Sequence, residues 1–363
     1  MKAGGFYKSH SLVQKMVIEK SLPLIAEAAA RVPLPDSGRP FTIVDYGCGE
    51  GKNSLIPVGA IIDNVGARQK GLDFLVIHND LPSNNFNGLA QDIHADGEGS
   101  YLVGKGLERR IFALLAGCSF YGQVAPDASV HFAFSSSAFH WLTDIPEGSI
   151  ADHVFHWGAT AEEGKRIAEI GARDWLTLLA RRARELAPGA RMVITMAASE
   201  KVTAASGEPN SAHRITNLLN DVLLEMVKER RVDRRRYRQF AFPILMRTLA
   251  EVVAPMQGPD APLAGAFSVE HATVHRMNCP FTEAYKQTGD RQGFADEIVA
   301  SVRAFTEPML IKGLLLEERQ DRDGREARRL ADEVYLRMRQ RVLARPEAYP
   351  FNVVQLTAVL ARR

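Results

Sequence analysis

The chain has 363 residues, and its 45 basic and 43 acidic residues leave a net charge of +2 at pH 7. A balance this close to zero argues against a nucleic-acid-binding protein, because such proteins carry a clear basic excess. Hydrophobic residues make up 46% and charged residues 24%, as in soluble globular proteins, and no apolar run is long enough to span a bilayer. The amino terminus has no apolar signal core, and the three cysteines are too scattered for a disulfide framework. We therefore expect a reduced, cytoplasmic protein without a membrane partner.

The first half of the chain alternates helices with strands. A helix is predicted over 11–31, where apolar residues return at helical spacing, and a buried strand followed by a glycine-rich turn is predicted over 41–55. Further apolar runs predict strands over 72–77, 130–134 and 191–196, the last after a helix over 174–186. This alternation predicts a parallel sheet covered on both faces, with ligands beyond the carboxyl ends of its strands.

The second half is mainly helical. Helices are predicted over 215–232, 293–316 and 326–343, and a sheet-like piece over 266–277. A basic block occupies 228–238. We expect a single domain over 1–363, with an α/β core mainly at 35–200 and 264–363 and a helical cap mainly at 201–263 and 290–325.

The glycine-rich turn is the first functional signal. Asp45, Gly47, Gly49 and Gly51 form D-x-G-x-G-x-G directly after a strand, where glycine lets the backbone approach a ligand closely. Dinucleotide enzymes and S-adenosylmethionine enzymes both use such turns. An acidic residue at the strand end suits the ammonium and sulfonium of S-adenosylmethionine better than a pyrophosphate, and the spacing departs from G-x-G-x-x-G. The pattern favours S-adenosylmethionine, although a tight turn without a ligand would look similar.

Five strings in a fixed order give a more specific signal. They are YKSHSLVQ (7–14), VDYGCGEGKN (44–53), NDLPSNNFN (79–87), SFYG (119–122) and FSSSAFHWL (134–142). Together they resemble the SABATH family, the carboxyl methyltransferases of salicylate, benzoate and related small acids, and we expect a bacterial member. The resemblance implies a Rossmann-like S-adenosylmethionine-dependent methyltransferase core with a mostly helical cap.

The resemblance also implies a cofactor site. The residues that match family contacts to S-adenosylmethionine are Tyr7, Ser11, Asp45, Gly47, Cys48, Gly49, Asn53, Asp80, Leu81, Ser119 and Phe120. In the family, Asp80 would hold the ribose hydroxyls, as carboxylates after a second strand generally do. Without the resemblance, Asp80 would read equally well as a turn residue before a proline, and Phe120 as core.

Three residues match the family's substrate contacts. Gln14 would meet the substrate carboxylate, and His140 and Trp141 would fix it in line with the methyl group. Read alone, each of them would more often be an exposed helix residue or a packing residue. The expected substrate pocket comprises Ser137, Ile215, Thr216, Leu245, Val302 and Phe351.

Some positions depart from the family pattern. Ser137, Thr216 and Leu245 stand where many plant members carry aromatic residues, so the pocket would be wider or differently shaped. Arg238 and Ala241 stand where some members have an Asp and an Asn proposed to bind magnesium, so we expect no such metal.

The implied reaction is methyl transfer from S-adenosylmethionine to the carboxylate of a small, aromatic acid, which gives a methyl ester and S-adenosylhomocysteine. Methylation of a nitrogen or another oxygen of a small molecule is the alternative, and RNA methylation, suggested by the basic block, is more remote. A nicotinamide-dependent oxidoreductase and a cofactor-binding protein without activity also remain open. We expect a homodimer, a small carboxylic acid as the substrate and no nucleic-acid partner.

Overall fold

A computed structural model of the chain describes residues 12–95, 99–102, 110–148, 150–200, 212–317, 321 and 323–363. Its strands are β1 (Phe41–Tyr46), β2 (Phe74–Asp80), β3 (Ile111–Gly117), β4 (Val130–Ser136), β5 (Leu186–Ala197), β6 (Phe267–Asn278) and β7 (Asn352–Arg362). Its helices are α1 (Leu12–Arg31), α2 (Lys52–Gly66), α3 (Phe86–Ile93), α4 (Ala161–Glu185), α5 (Ala212–Lys228), α6 (Arg234–Gln239), α7 (Leu249–Val253), α8 (Pro280–Thr288), α9 (Arg291–Leu310) and α10 (Arg325–Ala344). A π-helical turn, Ile311–Leu315, extends α9.

The seven strands form one sheet in the order β3-β2-β1-β4-β5-β7-β6. The first five are parallel, as predicted, because each returns to the sheet through a crossover. β7 is antiparallel to both β5 and β6, so the expectation of a parallel sheet holds only for the first five strands. The order reverses between β1 and β4, and the crevice at such a reversal is where this sheet type binds ligands.

Several predicted bounds differ from those observed. The helix predicted over 174–186 is only the last part of α4, which begins at Ala161 behind a capping box formed by Thr160 and Glu163. The strand predicted over 191–196 begins at Leu186, directly after α4 and before the turn at Gly189. β3 and β7 were not predicted as strands from the residue pattern.

The apolar cores lie on both sheet faces and among the helices. α1 and α2 cover one face through residues such as Ile25 and Ile61, and α4 covers part of the other through Leu178. A separate cluster joins α5, α9 and α10. α10 lies in the range predicted as core and packs in this helical cluster. No helix in the described part of the chain is long and apolar enough to cross a membrane.

Candidate active site

The turn between β1 and α2 requires glycine at two positions. Gly47 has φ of +84°, and a Cβ there would lie 2.2 Å from the Cβ of Ala138. Gly51 has φ of +110°, and its Cβ would lie 2.5 Å from the Cδ1 of Leu89. Both values of φ are costly for other residues, and both sites lack room for a side chain. The turn is therefore held against the turn after β4 on one side and against α3 on the other.

The carboxyl end of β2 fastens this turn. The side chain of Asp80 accepts hydrogen bonds from the N–H groups of Gly49, at 2.8 Å, and Leu81, at 2.7 Å. The amide of Asn84 donates to the carbonyl of Gly49 at 2.6 Å. Burial raises the pKa of Asp80, while these backbone N–H groups oppose the shift. Leu81, which was predicted to pack near the adenine, is 50% exposed.

A cleft opens above the turn. It is lined by Gln14, Ile18, Asp45, Gly47, Cys48, Gly49, Glu50, Gly51, Lys52, Asn53, Ser54, Phe134 and Ser136. Five of the predicted cofactor residues therefore lie together, and Gln14 joins them from α1. Oε1 of Gln14 and Oε2 of Glu50 are buried in this cleft, and neither accepts a hydrogen bond within the described chain. Ligand groups could satisfy both atoms, since buried polar atoms are rarely left unpaired.

The cleft has an acidic floor. Burial raises the pKa of Asp45 to about 7, a hydrogen bond from Ser54 opposes the shift, and the charge of Asp80 adds to it. Burial, followed by the charges of Asp45 and Asp80, raises the pKa of Cys48 well above its ordinary value. Cys48 is thus a neutral thiol in the cleft wall. A cationic group entering the cleft would relieve the electrostatic cost at Asp45.

The loop after β3 holds the predicted adenine contacts. Ser119 accepts a hydrogen bond at its Oγ from the N–H of Tyr121 at 3.3 Å, and the Phe120 ring packs edge-on against Phe139. The buried guanidinium of Arg182 donates to the carbonyls of Phe120, at 2.6 Å, and Gly122, at 2.8 Å. Arg182 also pairs with the buried Glu185 at 2.8 Å. This ion pair fixes the loop beside the turn after β4.

The turn after β4 carries His140 and Trp141, whose ring centroids lie 5.6 Å apart. Its backbone is bonded at three consecutive carbonyls. Phe139 accepts from Arg247 at 3.0 Å, His140 from the N–H of Leu245 at 2.9 Å, and Trp141 from the hydroxyl of Tyr121 at 2.7 Å. The pair is thereby held rigidly next to Gly47, since Ala138 lies in the same turn.

His140 is neutral. Burial, with a smaller effect from the positive charge of Arg247, lowers the pKa of His140 to about 3. Its Nδ1 has no hydrogen-bond partner within the described residues. A substrate group could therefore form a hydrogen bond with Nδ1 of this buried imidazole.

The predicted substrate-pocket residues are divided between two clusters. Ile215, Val302 and Phe351 pack in the helical cluster, and the ring of Trp141 packs against it and lies 6.5 Å from the ring of Phe305. Leu245 instead packs with residues of α4 and the segment before it, although its backbone bonds to His140.

The two polar residues of the predicted pocket have backbone roles. Thr216 is buried and donates to the carbonyl of His213 at 3.1 Å. Ser137 begins the turn with φ of +54°. The structure thus places one wall of the predicted pocket beside Trp141, at the junction of core and helical cluster.

Comparison with known proteins places the chain in a family. The chain matches the sequence model of the family described as SAM dependent carboxyl methyltransferase over residues 3–342. The chain belongs to this family. Residues 3–342 include both turns and the acidic cleft described above.

Relatives within the family are moderately similar. A methyltransferase of Fusarium sp. is 30% identical over 254 residues, and the aligned part spans 69% of this chain but only 65% of that protein. An O-methyltransferase of Aspergillus aculeatus is 30% identical over 301 residues, covering 77% of this chain and 72% of that protein. Salicylate carboxymethyltransferase of Clarkia breweri is 25% identical over 323 residues, covering 84% of each chain.

A solved structure shows the same fold. Loganic acid methyltransferase with SAH superposes with a TM-score of 0.77 at 23% identity, and the match covers 100% of this chain and 98% of that one. At this identity the likeness establishes the fold. The Rossmann-like methyltransferase core predicted from the sequence is confirmed.

The chemistry of the cleft fits S-adenosylmethionine, the cofactor in the family's description. Gly47, Gly49 and Gly51 line the cleft without side chains, and the buried carboxyl of Asp45 in the same cleft has the charge type that suits an ammonium group. Asp80, at the end of β2, stands where ribose hydroxyls are generally bound. Tyr7 and Ser11, which were also predicted to contact the cofactor, lie outside the described residues.

Acidic residues partly neutralise the basic block at 228–238. Arg231 pairs with Glu333 at 2.6 Å, and Glu229 pairs with Arg337 at 2.7 Å, which ties the end of α5 to α10. Arg234 and Arg235 are exposed on a shallow, open hollow. Arg238 lies 3.9 Å from Asp152.

The two positions named for magnesium in some members are Ala241 and the exposed Arg238 here. Phe240 is buried in the helical cluster, and Ala241 packs against the cluster that holds Leu245. Within the part of the chain that the structure describes, no group of three or more His, Cys, Asp or Glu side chains is arranged to hold a metal ion.

Sequence reasoning missed several cleft residues. Ile18, Glu50, Lys52, Ser54, Phe134 and Ser136 line the cleft without having been predicted. The two from β4 could have been found, because Phe134 and Ser136 stand at the carboxyl end of a predicted strand. Arg247 and Tyr121 act through tertiary hydrogen bonds that no local pattern announces.

Proposed function

We propose that this chain transfers a methyl group from S-adenosylmethionine to a carboxylate oxygen of a small acid, releasing a methyl ester and S-adenosylhomocysteine. One observation carries the proposal. The acidic cofactor cleft and the turn with His140 and Trp141 touch at Gly47 and Ala138, where no side chain would fit between them. A cofactor in the cleft and an acid held by that turn would therefore be direct neighbours.

When bound, S-adenosylmethionine supplies an electrophilic methyl group on a sulfonium. Asp45 would hold the ammonium end, Asp80 the ribose, and the loop of Ser119 and Phe120 the adenine. Gln14 lies in the same cleft, with a buried amide oxygen that lacks a partner in the described chain. Its amide can also donate to a carboxylate. Gln14 could therefore reach either ligand at their junction.

The substrate needs no general base. Carboxylic acids have pKa values near ~4, so the nucleophile is already ionised at neutral pH. The enzyme must then orient the carboxylate and exclude water, and orientation alone can be worth an effective molarity on the order of 10⁵ M. The rigid bonding of the turn at Phe139, His140 and Trp141 supports this role.

The neutrality of His140 suits the reaction. The substrate loses its negative charge as the methyl group moves, so an interaction that favours the charged ground state more than the transition state would slow the reaction. An imidazolium would do so. With a pKa of about 3, His140 can offer only a neutral hydrogen bond. The indole N–H of Trp141 is likewise a neutral donor.

The pocket walls support an apolar, compact acid. Ile215, Val302 and Phe351 are aliphatic or aromatic and pack in the cluster that Trp141 borders. Relatives named for salicylate and gibberellic acid act on acids with hydrophobic bodies. We propose an aromatic acid, since the aromatic rings beside Trp141 can pack on a flat body.

The test is a methylation panel. The protein is incubated with labelled S-adenosylmethionine and benzoate, salicylate, an indole acid and aliphatic acids, with the matching neutral amides as controls. We expect methyl esters, identified by mass spectrometry, from at least one aromatic acid and no product from its amide. Methylation of an amide or amine with no ester would instead support a nitrogen methyltransferase.

We also propose that the chain works as a cytoplasmic homodimer. Edge strand β3 exposes Phe112, Leu114 and Leu115 by 41–51%, and an apolar sheet edge of this kind favours pairing with a second copy. All three cysteines are free, which suits a reducing compartment. Light scattering should give a dimer mass that falls to a monomer in Leu114→Glu, and a monomeric wild type would contradict the proposal.

A further inference from the structure

A row of buried polar side chains runs from the core to the cofactor cleft. The hydroxyl of Tyr101 lies 2.9 Å from Nε2 of His78, and Nδ1 of His78 lies 3.0 Å from Oγ of Ser54. Ser54 in turn donates to Oδ2 of Asp45. All four residues are at most 3% exposed. Burying so many polar groups is costly unless they bond to each other. Asp45 and Ser54, at one end of the row, line the cofactor cleft.

The direction of these hydrogen bonds can be deduced. Burial lowers the pKa of His78 to about 4, so the ring is neutral at pH 7 and carries one N–H. The single hydroxyl hydrogen of Ser54 is donated to Asp45, so Ser54 must accept from the Nδ1–H of His78. Nε2 of His78 then has no hydrogen and accepts from the hydroxyl of Tyr101. Every donor in the row therefore points towards the carboxylate of Asp45.

We propose that His78 is a positioning residue that, through Ser54, holds Asp45 as a carboxylate for the cationic end of the ligand, and that the row reverses when Asp45 takes up a proton. In the reversed row, Asp45 donates to Ser54, Ser54 donates to Nδ1 of His78, and the Nε2–H of His78 donates to Tyr101. The His78 ring changes tautomer and stays neutral. The net change is one proton taken from solvent.

The surroundings of Asp45 make this reversal accessible near neutral pH. Burial and the charge of Asp80 oppose ionisation of Asp45, the bond from Ser54 favours it, and the pKa is raised to about 7. The other titratable groups that face or line this site are Cys48, Glu50, Lys52 and Tyr101. A cation bound at Asp45 lowers its pKa, so binding expels a proton and affinity falls as pH falls below about 7.

The experiment is a calorimetric titration of the protein with S-adenosylhomocysteine between pH 5.5 and 8.5, in two buffers of different ionisation heat. For the wild type we expect release of up to one proton near pH 6 and an affinity about 10-fold lower at pH 6 than at pH 8. Tyr101→Phe and His78→Leu remove donors from the row, so the midpoint of the affinity profile should move up by about 0.5–1 pH unit. Tyr101→Phe keeps the aromatic ring, so it still tests the proposal if His78→Leu folds poorly.

The matched control is His131→Leu. His131 is also a strand histidine, accepting from the N–H of Thr42 at 3.0 Å, and it has no contact with the row. It should keep the wild-type midpoint. Equal midpoints in wild type, Tyr101→Phe and His78→Leu would overturn the proposal.

A second measurement separates this inference from the proposed function, on which only the identity of the ligand rests. Nitrogen NMR of the ligand-free protein should show His78 protonated at Nδ1 at pH 8 and at Nε2 at pH 5.5, with the tautomer change lost in Asp45→Asn. A single tautomer across this range would overturn the reversal. Absence of S-adenosylhomocysteine binding at every pH, with the tautomer change intact, would instead count against the cofactor assignment alone.

Discussion

At the scale of single residues, the site is marked by polar atoms without partners. The amide oxygen of Gln14, one carboxyl oxygen of Glu50 and Nδ1 of His140 are buried and find no partner in the described chain. Such atoms are rare in folded proteins, where buried polar groups are almost always bonded. These three atoms lie at the cleft and the turn beside it, where a bound ligand would complete their hydrogen bonding.

Trp141 should matter for the substrate and little for the cofactor. We expect Trp141→Ala to lower kcat/KM for the methylated acid on the order of 100-fold, because the carboxylate loses a donor and a wall that orient it. The dissociation constant of S-adenosylhomocysteine should change by less than about 3-fold, since Trp141 is not among the residues that line the cofactor cleft. Enzyme assays and calorimetry measure the two effects.

Two further variants sharpen this test. Trp141→Phe keeps an aromatic wall and removes the indole N–H, so it should fall between wild type and Trp141→Ala. Trp157→Phe is the matched control, because it makes the same substitution at another tryptophan. Trp157 is stacked on Phe155, with ring centroids 4.5 Å apart. Unchanged turnover in Trp141→Ala would remove this residue from the site.

At the scale of elements, the turn after β4 is bonded to segment 243–247, which follows α6 and is called the strap below. Segment 243–247 bonds to the turn through the N–H of Leu245 and the guanidinium of Arg247, and His156 accepts from the N–H of Met246 at 3.3 Å. Arg247 is 2% exposed and also donates to the carbonyl of Gly171 at 3.0 Å. The strap thus links the turn after β4 to α4 through the buried guanidinium of Arg247, and it bonds to the segment before α4 through the N–H of Met246.

Removing the guanidinium of Arg247 should destabilise the turn after β4. Arg247→Met removes the buried donor shared by the carbonyls of Phe139 and Gly171, and we expect a loss of about 2–4 kcal/mol in the free energy of unfolding. Arg173→Met is the control, because Arg173 is 69% exposed and 3.8 Å from Asp174, and should cost under about 0.5 kcal/mol. Urea denaturation compares the two, and equal losses would show that Arg247 has no special role.

The turn after β1 offers a test of close packing against backbone strain. Gly38 and Gly47 have nearly equal φ, +83° and +84°, but only Gly47 has atoms within 4 Å of an added Cβ. Gly38→Ala should therefore cost about 1–2 kcal/mol from strain alone. Gly47→Ala should cost about 1–3 kcal/mol more, because its methyl group overlaps Ala138. Equal unfolding free energies in the two variants would contradict the packing argument.

The elements also show what sequence can and cannot predict. β1, β2 and β4 were predicted because both of their faces are mostly buried and their apolar runs are continuous. β3 is half exposed, and its short apolar run is no stronger a signal than a helix would give. β7 is almost fully buried. Its place beside β5 depends on pairing with residues about 160 positions earlier in the chain, which no local pattern reveals.

The same limit applies to the site. Asp45 and the glycines were predictable because the chain supplies them in one turn, and His140 and Trp141 because their string resembles that of a known family. Arg182 and Arg247 shape the site through bonds to distant carbonyls, so no spacing in the sequence reveals them. Tyr121 lies in the quoted string SFYG, but its bond to Trp141 could not be read from that string.

At the scale of the whole molecule, buried histidines couple stability to pH. Burial lowers the pKa of His140 and His156 to about 3 and that of His78 to about 4. Their stabilising effect is fully present above the unfolded value of about 6.5 and is lost as pH falls towards the folded values. Asp45, with its pKa raised to about 7, acts in the opposite direction by binding a proton in the folded state.

The balance predicts acid sensitivity. On unfolding, the three histidines with the largest pKa shifts bind protons and Asp45 releases one, a net uptake of about two protons by these four groups. These groups should lower stability by about 2 kcal/mol per pH unit between pH 6 and 5. Above pH 7.5 it should be nearly flat. Urea denaturation at matched ionic strength measures the slope.

Histidine variants test which groups cause this dependence of stability on pH. His156→Gln can still accept from Met246 and should reduce the slope by about 1.4 kcal/mol per pH unit, the effect of one proton. The exposed His94 provides the control in His94→Gln, which should leave the slope unchanged. A flat profile between pH 7 and 5 in the wild type would contradict the prediction.

The place of β7 between β5 and β6 has a consequence for biosynthesis. When a ribosome has just made β5, the strand that will cover its free edge lies about 155 residues further along the chain. At 5–20 residues per second, that edge waits on the order of 10–30 s for its partner. An apolar strand edge left open for so long invites pairing between nascent chains. Slow translation or crowded polysomes should therefore raise the demand of this protein for chaperones.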